Sequence, residues 1–101
     1  MTRKTKIPDV LAKIKEALSQ GNYIYTGHAQ IRLQQREVTR QEVKQVIQNG
    51  HHEKSKDQFD ETYDEWNYSI KGKTIDSKPL RVVISFDENE MLIITVIDLN
   101  K

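Results

Sequence analysis

The apolar residues of this chain change their spacing once, and that change dictates its class of fold. Up to Ile47 they recur at helical intervals, and from Trp66 onward they alternate. Val10, Leu11, Ile14, Ala17 and Leu18 form one helical stripe that Gly21 stops. Pro8 and Asp9 suit its start, one by a fixed φ and the other by its charge in the first turn. Asn22 to Thr26 is either a brief strand or an extended lead-in to a second helix, which runs from His28 to near Arg36. Thr39-Arg40-Gln41-Glu42 matches a capping box, in which side chains and backbone N–H groups satisfy each other. Val43, Val46 and Ile47 give that third helix one narrow apolar edge, and Gly50 closes it. The Glu37-Val38 break before it leaves room only for a tight corner.

Beyond His51 the pattern belongs to strands. Residues 57–65 hold Asp57, Asp60, Glu61, Asp64 and Glu65 and read as a solvated loop or hairpin connection. Trp66, Tyr68 and Ile70 alternate with polar residues, as do Leu80, Val82, Ile84 and Phe86, which describes strands with one buried face. Asp87 to Glu90 makes a hairpin loop. Met91 to Ile97 is almost continuously apolar and predicts a central strand covered on both faces. Helices first and a strand meander second define an α+β domain with the helices on one face of an antiparallel sheet.

Composition narrows the class further. A chain of 101 residues is one domain with a single core. The net charge of +1 gives no global pull on nucleic acid, yet the halves differ. Residues 1–50 carry nine Lys/Arg and four Asp/Glu, and residues 51–101 carry seven and eleven. Such a chain either steers one face toward an anionic partner or simply has two solvated faces. Without cysteine there is no disulfide, thiolate ligand or thiol nucleophile. The basic N-terminus lacks an apolar leader core, and no apolar run spans a bilayer, so a cytoplasmic location with no membrane partner is expected.

One stripe carries candidate chemistry. On a helix His28, Arg32 and Arg36 lie one turn apart on a single face. An imidazole that titrates near neutral pH beside two guanidinium forks suits the handling of a phosphate. Gly27 before it leaves helix N-terminal N–H groups aimed the same way. The structural alternatives are plain: His28 can cap its helix, and the arginines can pair with the acids of residues 57–65. His51-His52-Glu53 does not make a metal site, because neighbours on a strand point to opposite faces. Neither a metal nor another cofactor is expected.

The ordered set of His28-Ala29, Arg32-Leu33, Arg36, a capped helix ending in Gly50 and Ile94-Thr95-Val96 resembles a bacterial domain of unknown function, family 4258. That family is in turn similar to the RelE- and BrnT-type toxin folds. The resemblance covers roughly Tyr25 to Asp98. It implies a single domain over residues 1–101, an N-terminal helix in 1–21 and a family core in 22–98. The implied architecture is N-terminal helices packed on one face of a four-stranded antiparallel β-sheet. It further implies metal-independent ribonuclease chemistry, with His28, Arg32, Arg36 and Thr95 at the catalytic positions, RNA as substrate and an antitoxin protein as partner. Such cleavage needs a base for the 2′-OH, an acid for the 5′-oxygen and cations for the phosphorane. Arg81 is a third candidate cation, and Tyr68 or Tyr23 a candidate proton partner or stacking surface for substrate.

This chain departs from the family at one corner, where Glu37 stands in the place of a usual glycine. Glycine adopts a left-handed backbone at low cost and glutamate does not. Glu37 also sets a carboxylate beside Arg36. Both points, with the near-neutral charge, favour a second reading as a non-catalytic protein-interaction module of the same fold. A third reading is a hydrolase or small-molecule binder with a pocket around His28.

Overall fold

The computed structural model describes residues 4–88 and 90–100. Helix α1 spans Val10–Gln20 and buries Val10, Ile14, Ala17 and Leu18. It starts one residue later than the charge of Asp9 suggests. Asp9 lies outside the helix with φ 50° and makes no side-chain cap. Gly21, at φ 70°, ends the helix in the left-handed conformation that glycine adopts freely.

Residues 23–25 form strand β1. Helix α2 spans Gly27–Arg36, and its cap is Thr26, whose Oγ1 accepts the Ala29 N–H at 3.1 Å. The same hydroxyl donates to the Ile94 carbonyl at 3.2 Å, fixing the helix start to the last strand. Helix α3 spans Arg40–Asn49 and opens with the complete capping box. The Glu42 N–H donates to Thr39 Oγ1 at 3.1 Å, and the Thr39 N–H donates to Glu42 Oε1 at 3.0 Å.

At the corner between α2 and α3 the left-handed residue is Glu37, at φ 55°. The two N–H groups that follow the helix close it, Glu37 onto Gln34 at 3.2 Å and Val38 onto Leu33 at 2.9 Å. The buried Val38 side chain pins the turn in place. Glu37→Gly should therefore stabilise the domain by about 1 kcal/mol, the usual cost of a left-handed side-chain-bearing residue. The result to look for is a higher urea midpoint at unchanged slope.

The second half forms β2 (His51–His52), a single 3₁₀ turn (Lys54–Lys56), β3 (Gln58–Asp60), β4 (Glu65–Lys73), β5 (Pro79–Phe86) and β6 (Met91–Asp98). The strand order is β1-β6-β5-β4-β2, with β3 paired to β4. The architecture is α+β, but the expected four-stranded antiparallel sheet is corrected to a mixed sheet of six strands. β1 runs parallel to β6, with Tyr23 opposite Met91, and the remaining pairs are antiparallel. The acidic stretch expected to be loop supplies β3, because Phe59 packs edge-on against Trp66 at 5.4 Å and gives the pair an apolar contact.

The three helices share one core with the inward residues of the sheet, among them Ile70, Leu80, Val82, Ile84, Met91 and Ile93. Each such side chain contributes about 1.5–3 kcal/mol of burial. β6 is not covered on both faces as its apolar run suggests. Met91, Ile93 and Val96 are buried, whereas Leu92, Ile94, Thr95 and Ile97 stay half-exposed on the face away from the helices. The register shifts between Val83 and Ile84, so that Thr95 opposes Val83, Ile93 opposes Ile84 and Ile94 is left over. Residues 4–7 cross over β4. The Trp66 indole N–H donates to the Lys4 carbonyl at 2.6 Å, and the Ile7 N–H donates to the Tyr68 hydroxyl at 2.9 Å. Among the described residues no helix is long and apolar enough to cross a membrane.

Candidate functional site

Because α2 is capped by Thr26, His28 falls in its first turn with its side chain exposed. The expectation that His28 itself caps the helix is thereby replaced. Arg32, one turn on, lays its guanidinium against the ring, with Nε 3.4 Å from His28 Nε2. A guanidinium only donates, so His28 Nε2 is the acceptor in this contact. Arg32 Nη1 also donates to Gln35 Oε1 at 2.9 Å. Arg32 is thus held by its own helix rather than by the acids of residues 57–65. Arg36 follows on the same helix, half-buried, with its Nε enclosed and without a hydrogen-bond partner. Among the described residues Glu37 makes no ion pair with it.

The other expected site residues lie on the strands of the sheet. Thr95 is on the outer face of the sheet opposite Val83. Arg81 donates to Glu53 Oε1 at 2.8 Å, and this pairing holds the Glu53 carboxyl below its ordinary range. Tyr68 is 2 % exposed, with its ring in the core and its hydroxyl turned to Ile7. No face of that ring is left for a base to stack on. His51 is exposed, whereas His52 Nε2 lies 2.8 Å from Asp57 Oδ2, so the two imidazoles diverge. Among the described residues no group of three His, Cys, Asp or Glu side chains is placed to hold a metal.

A groove of about 670 Å³ opens beside His28. Its floor is Phe86, Leu92 and Ile94, and Asp60, Asp64, Glu65, Asp87 and Glu88 line its rim. Tyr63, 77 % exposed, stands at its edge. The third sequence reading placed a pocket around His28, but it named neither this phenol nor the groove's walls, which come from segments far apart in the chain. A wider and more open depression of about 770 Å³ lies on another side of α2, lined in part by Gln30, Ile31, Thr39 and Arg40. There the Arg40 guanidinium sits 4.4 Å over the Tyr25 ring. Burial pushes the Tyr25 phenol up to about 12, with Tyr23 adding to the shift and Arg40 opposing it. No imidazole is among the residues that line that depression.

This α+β chain belongs to the family described as Domain of unknown function (DUF4258), whose family model matches residues 25–98. No curated protein and no solved structure matches the chain significantly.

Proposed function

We propose that this chain is an RNA-directed domain of the RelE/BrnT type, a metal-independent endoribonuclease that serves as the toxin of a toxin–antitoxin pair. The observation that carries this reading is the contact of Arg32 with His28 on an exposed helix face. In the free protein Arg32 occupies the imidazole lone pair. A phosphate arriving at the helix start draws the guanidinium to itself, since a charge-assisted bond to an anion is stronger than one to a neutral nitrogen. That exchange frees Nε2 to take the 2′-OH proton. The 2′-oxygen then attacks phosphorus, the bond to the 5′-oxygen breaks, and the leaving oxygen takes a proton from water. The products are a 2′,3′-cyclic phosphate and a 5′-hydroxyl. Arg36, on the same helix, adds a second cation for the flanking phosphate. An antitoxin chain is the partner this reading requires.

The test is RNA cleavage in the presence of a chelator. The purified protein should cut a labelled oligoribonucleotide to cyclic-phosphate ends. His28→Ala and Arg32→Ala should each slow it by at least about 100-fold, as loss of an acid–base group or a clamping cation does. Cleavage that survives both substitutions removes these residues from the chemistry.

A second reading, the non-catalytic interaction module of the same fold, is favoured by one observation. Five carboxylates rim the groove beside His28, and a phosphate chain entering there is repelled. On that reading RNA is not cut, and any binding has a shallow salt dependence rather than the steep slope of several phosphate contacts.

A further inference from the structure

We propose that a cup on the outer face of the sheet, between the Lys54–Lys56 turn and strands β3 to β6, binds a dianionic phosphate group, either free phosphate or the phosphomonoester of a small molecule. It shares no residue with the His28 stripe, so it stands whether or not that stripe cleaves RNA.

Strand register and one buried serine build the cup. Ser69 opposes Val83, and Arg81 lies between Lys71 and Ile97. The turn after β2 folds over this row and is clamped to Ser69 at three points. The Glu53 N–H donates to the Ser69 carbonyl at 2.8 Å, the Ser69 hydroxyl donates to the Lys56 carbonyl at 3.2 Å, and the Ser69 N–H donates to Asp57 Oδ1 at 3.0 Å. A wall fixed in this way has its donors in place before a ligand arrives, which lowers the cost of binding. The space is about 160 Å³, with Lys56, Gln58, Asn67 and Arg81 around apolar Val83 and Ile97.

Size and charge together choose the ligand. Sites for whole small molecules run to roughly 300–1,000 Å³, so this cup holds a single group. Among the described residues no carboxylate lines it. Glu53, beside it, accepts from Arg81 Nε; that bond, with the charges of Arg81, Lys71 and Lys56, holds the Glu53 carboxyl low although desolvation opposes the shift. One carboxylate thus answers three cations, and among the described residues neither Lys56 nor Lys71 forms an ion pair. Asp57 is turned instead to Lys6 and His52. The excess of two positive charges matches a phosphomonoester, which carries about −1.5 to −2 at pH 7. A carboxylate or an internal phosphodiester carries only one. The Arg81 Nη groups, the Lys56 ammonium and the amides of Gln58 and Asn67 are donors suited to its oxygens.

Inorganic phosphate and ribose 5-phosphate are titrated separately into the whole protein at fixed ionic strength. The signals followed by NMR are the Val83 and Ile97 methyls and the Gln58 and Asn67 side-chain amides. Inorganic phosphate should shift all four, and acetate and dimethyl phosphate, both monoanions, should leave them in place. A response to inorganic phosphate alone assigns the cup to the free ion, and a response to ribose 5-phosphate assigns it to phosphomonoesters. Lys56→Gln should weaken binding by at least about tenfold, as loss of a charge-assisted hydrogen bond does. It keeps the carbonyl that Ser69 holds, so the wall stays in place. Lys54→Gln removes the same charge from the same turn outside the cup and should change affinity little. Signals unmoved by both phosphates, an equal response to either monoanion, unchanged affinity in Lys56→Gln, or an equal loss in Lys54→Gln overturns the proposal. No RNA enters this assay, so its failure and that of the cleavage assay are read apart.

Discussion

Gly50→Ala is expected to cost this domain more than about 3 kcal/mol, a large share of the 5–15 kcal/mol that holds a domain together. The cause is space and not backbone freedom, since Gly50 has φ −87° and ψ −173°, open to any residue. A Cβ there would stand 2.4 Å from the Val46 carbonyl oxygen and 2.5 Å from that of Lys71. Both are backbone atoms of packed elements, so neither can swing aside as a side-chain tip would. Gly72 faces it across the gap, and a Cβ on Gly72 would meet the Gly50 Cα at 3.0 Å. The end of α3 and strand β4 thus approach each other through a pair of glycines. Thermal melting of Gly50→Ala should fall by roughly 12–24 °C, at 4–8 °C per kcal/mol for a domain of this size. Gly72→Ala should lose less. Gly21→Ala, with open space around it but φ +70°, should lose only about 1–2 kcal/mol. Equal losses at positions 21 and 50 would show that steric contact is not the reason for glycine at the latter.

How much of this was legible depends on how local each cause is. The capping box of Thr39 and Glu42 needs only four consecutive residues, and reading and structure agree on it. Gly50 reads as a helix terminator from its position, but the tight contact with Lys71 involves a strand residue far along the chain. Glu37 looks unfit for a left-handed corner by its residue type. Hydrogen bonds from the Glu37 and Val38 N–H groups to α2 carbonyls, with the burial of Val38, override that propensity. Strand β3 was hidden because Gln58-Phe59-Asp60 has the composition of a loop, and its pairing depends on Trp66 and on the anchoring of Asp57.

The candidate site divides the same way. His28 and Arg32 meet because they are four apart on one helix, which is the shortest inference a sequence permits. Tyr68 alternates as a strand residue should, but alternation does not say which face turns toward the core. The acidic groove takes its walls from residues 26–28, 60–67 and 85–94, and no window of sequence contains all three. Charge asymmetry between the halves was visible.

Asp57 marks the second site where one substitution should have a large effect. Its side chain is fully enclosed, so its oxygens must be paired. Oδ1 accepts the Ser69 N–H at 3.0 Å, and Oδ2 lies 3.0 Å from Lys6 Nζ and 2.8 Å from His52 Nε2. Asp57→Ala strands the Ser69 N–H of a buried strand position and leaves a cavity beside the His52 ring, which itself packs edge-on to Tyr68 at 5.9 Å. The expected loss is about 2–4 kcal/mol, between an unsatisfied buried donor and a broken buried ion pair. Lys6→Ala should cost under about 1 kcal/mol, because that ammonium is 38 % exposed and can return to water. What distinguishes the two is where the damage spreads. Lys6 also lies 4.7 Å over the Trp66 ring, and residues 4–7 are held by Trp66 and Tyr68 besides. Loss of Lys6 should therefore speed amide exchange at Ile7 with little effect on Ser69, whereas loss of Asp57 should speed both. Slow exchange at Ser69 in Asp57→Ala would mean that another acceptor replaces the carboxylate, and that this side chain does not tie the N-terminal segment to the sheet.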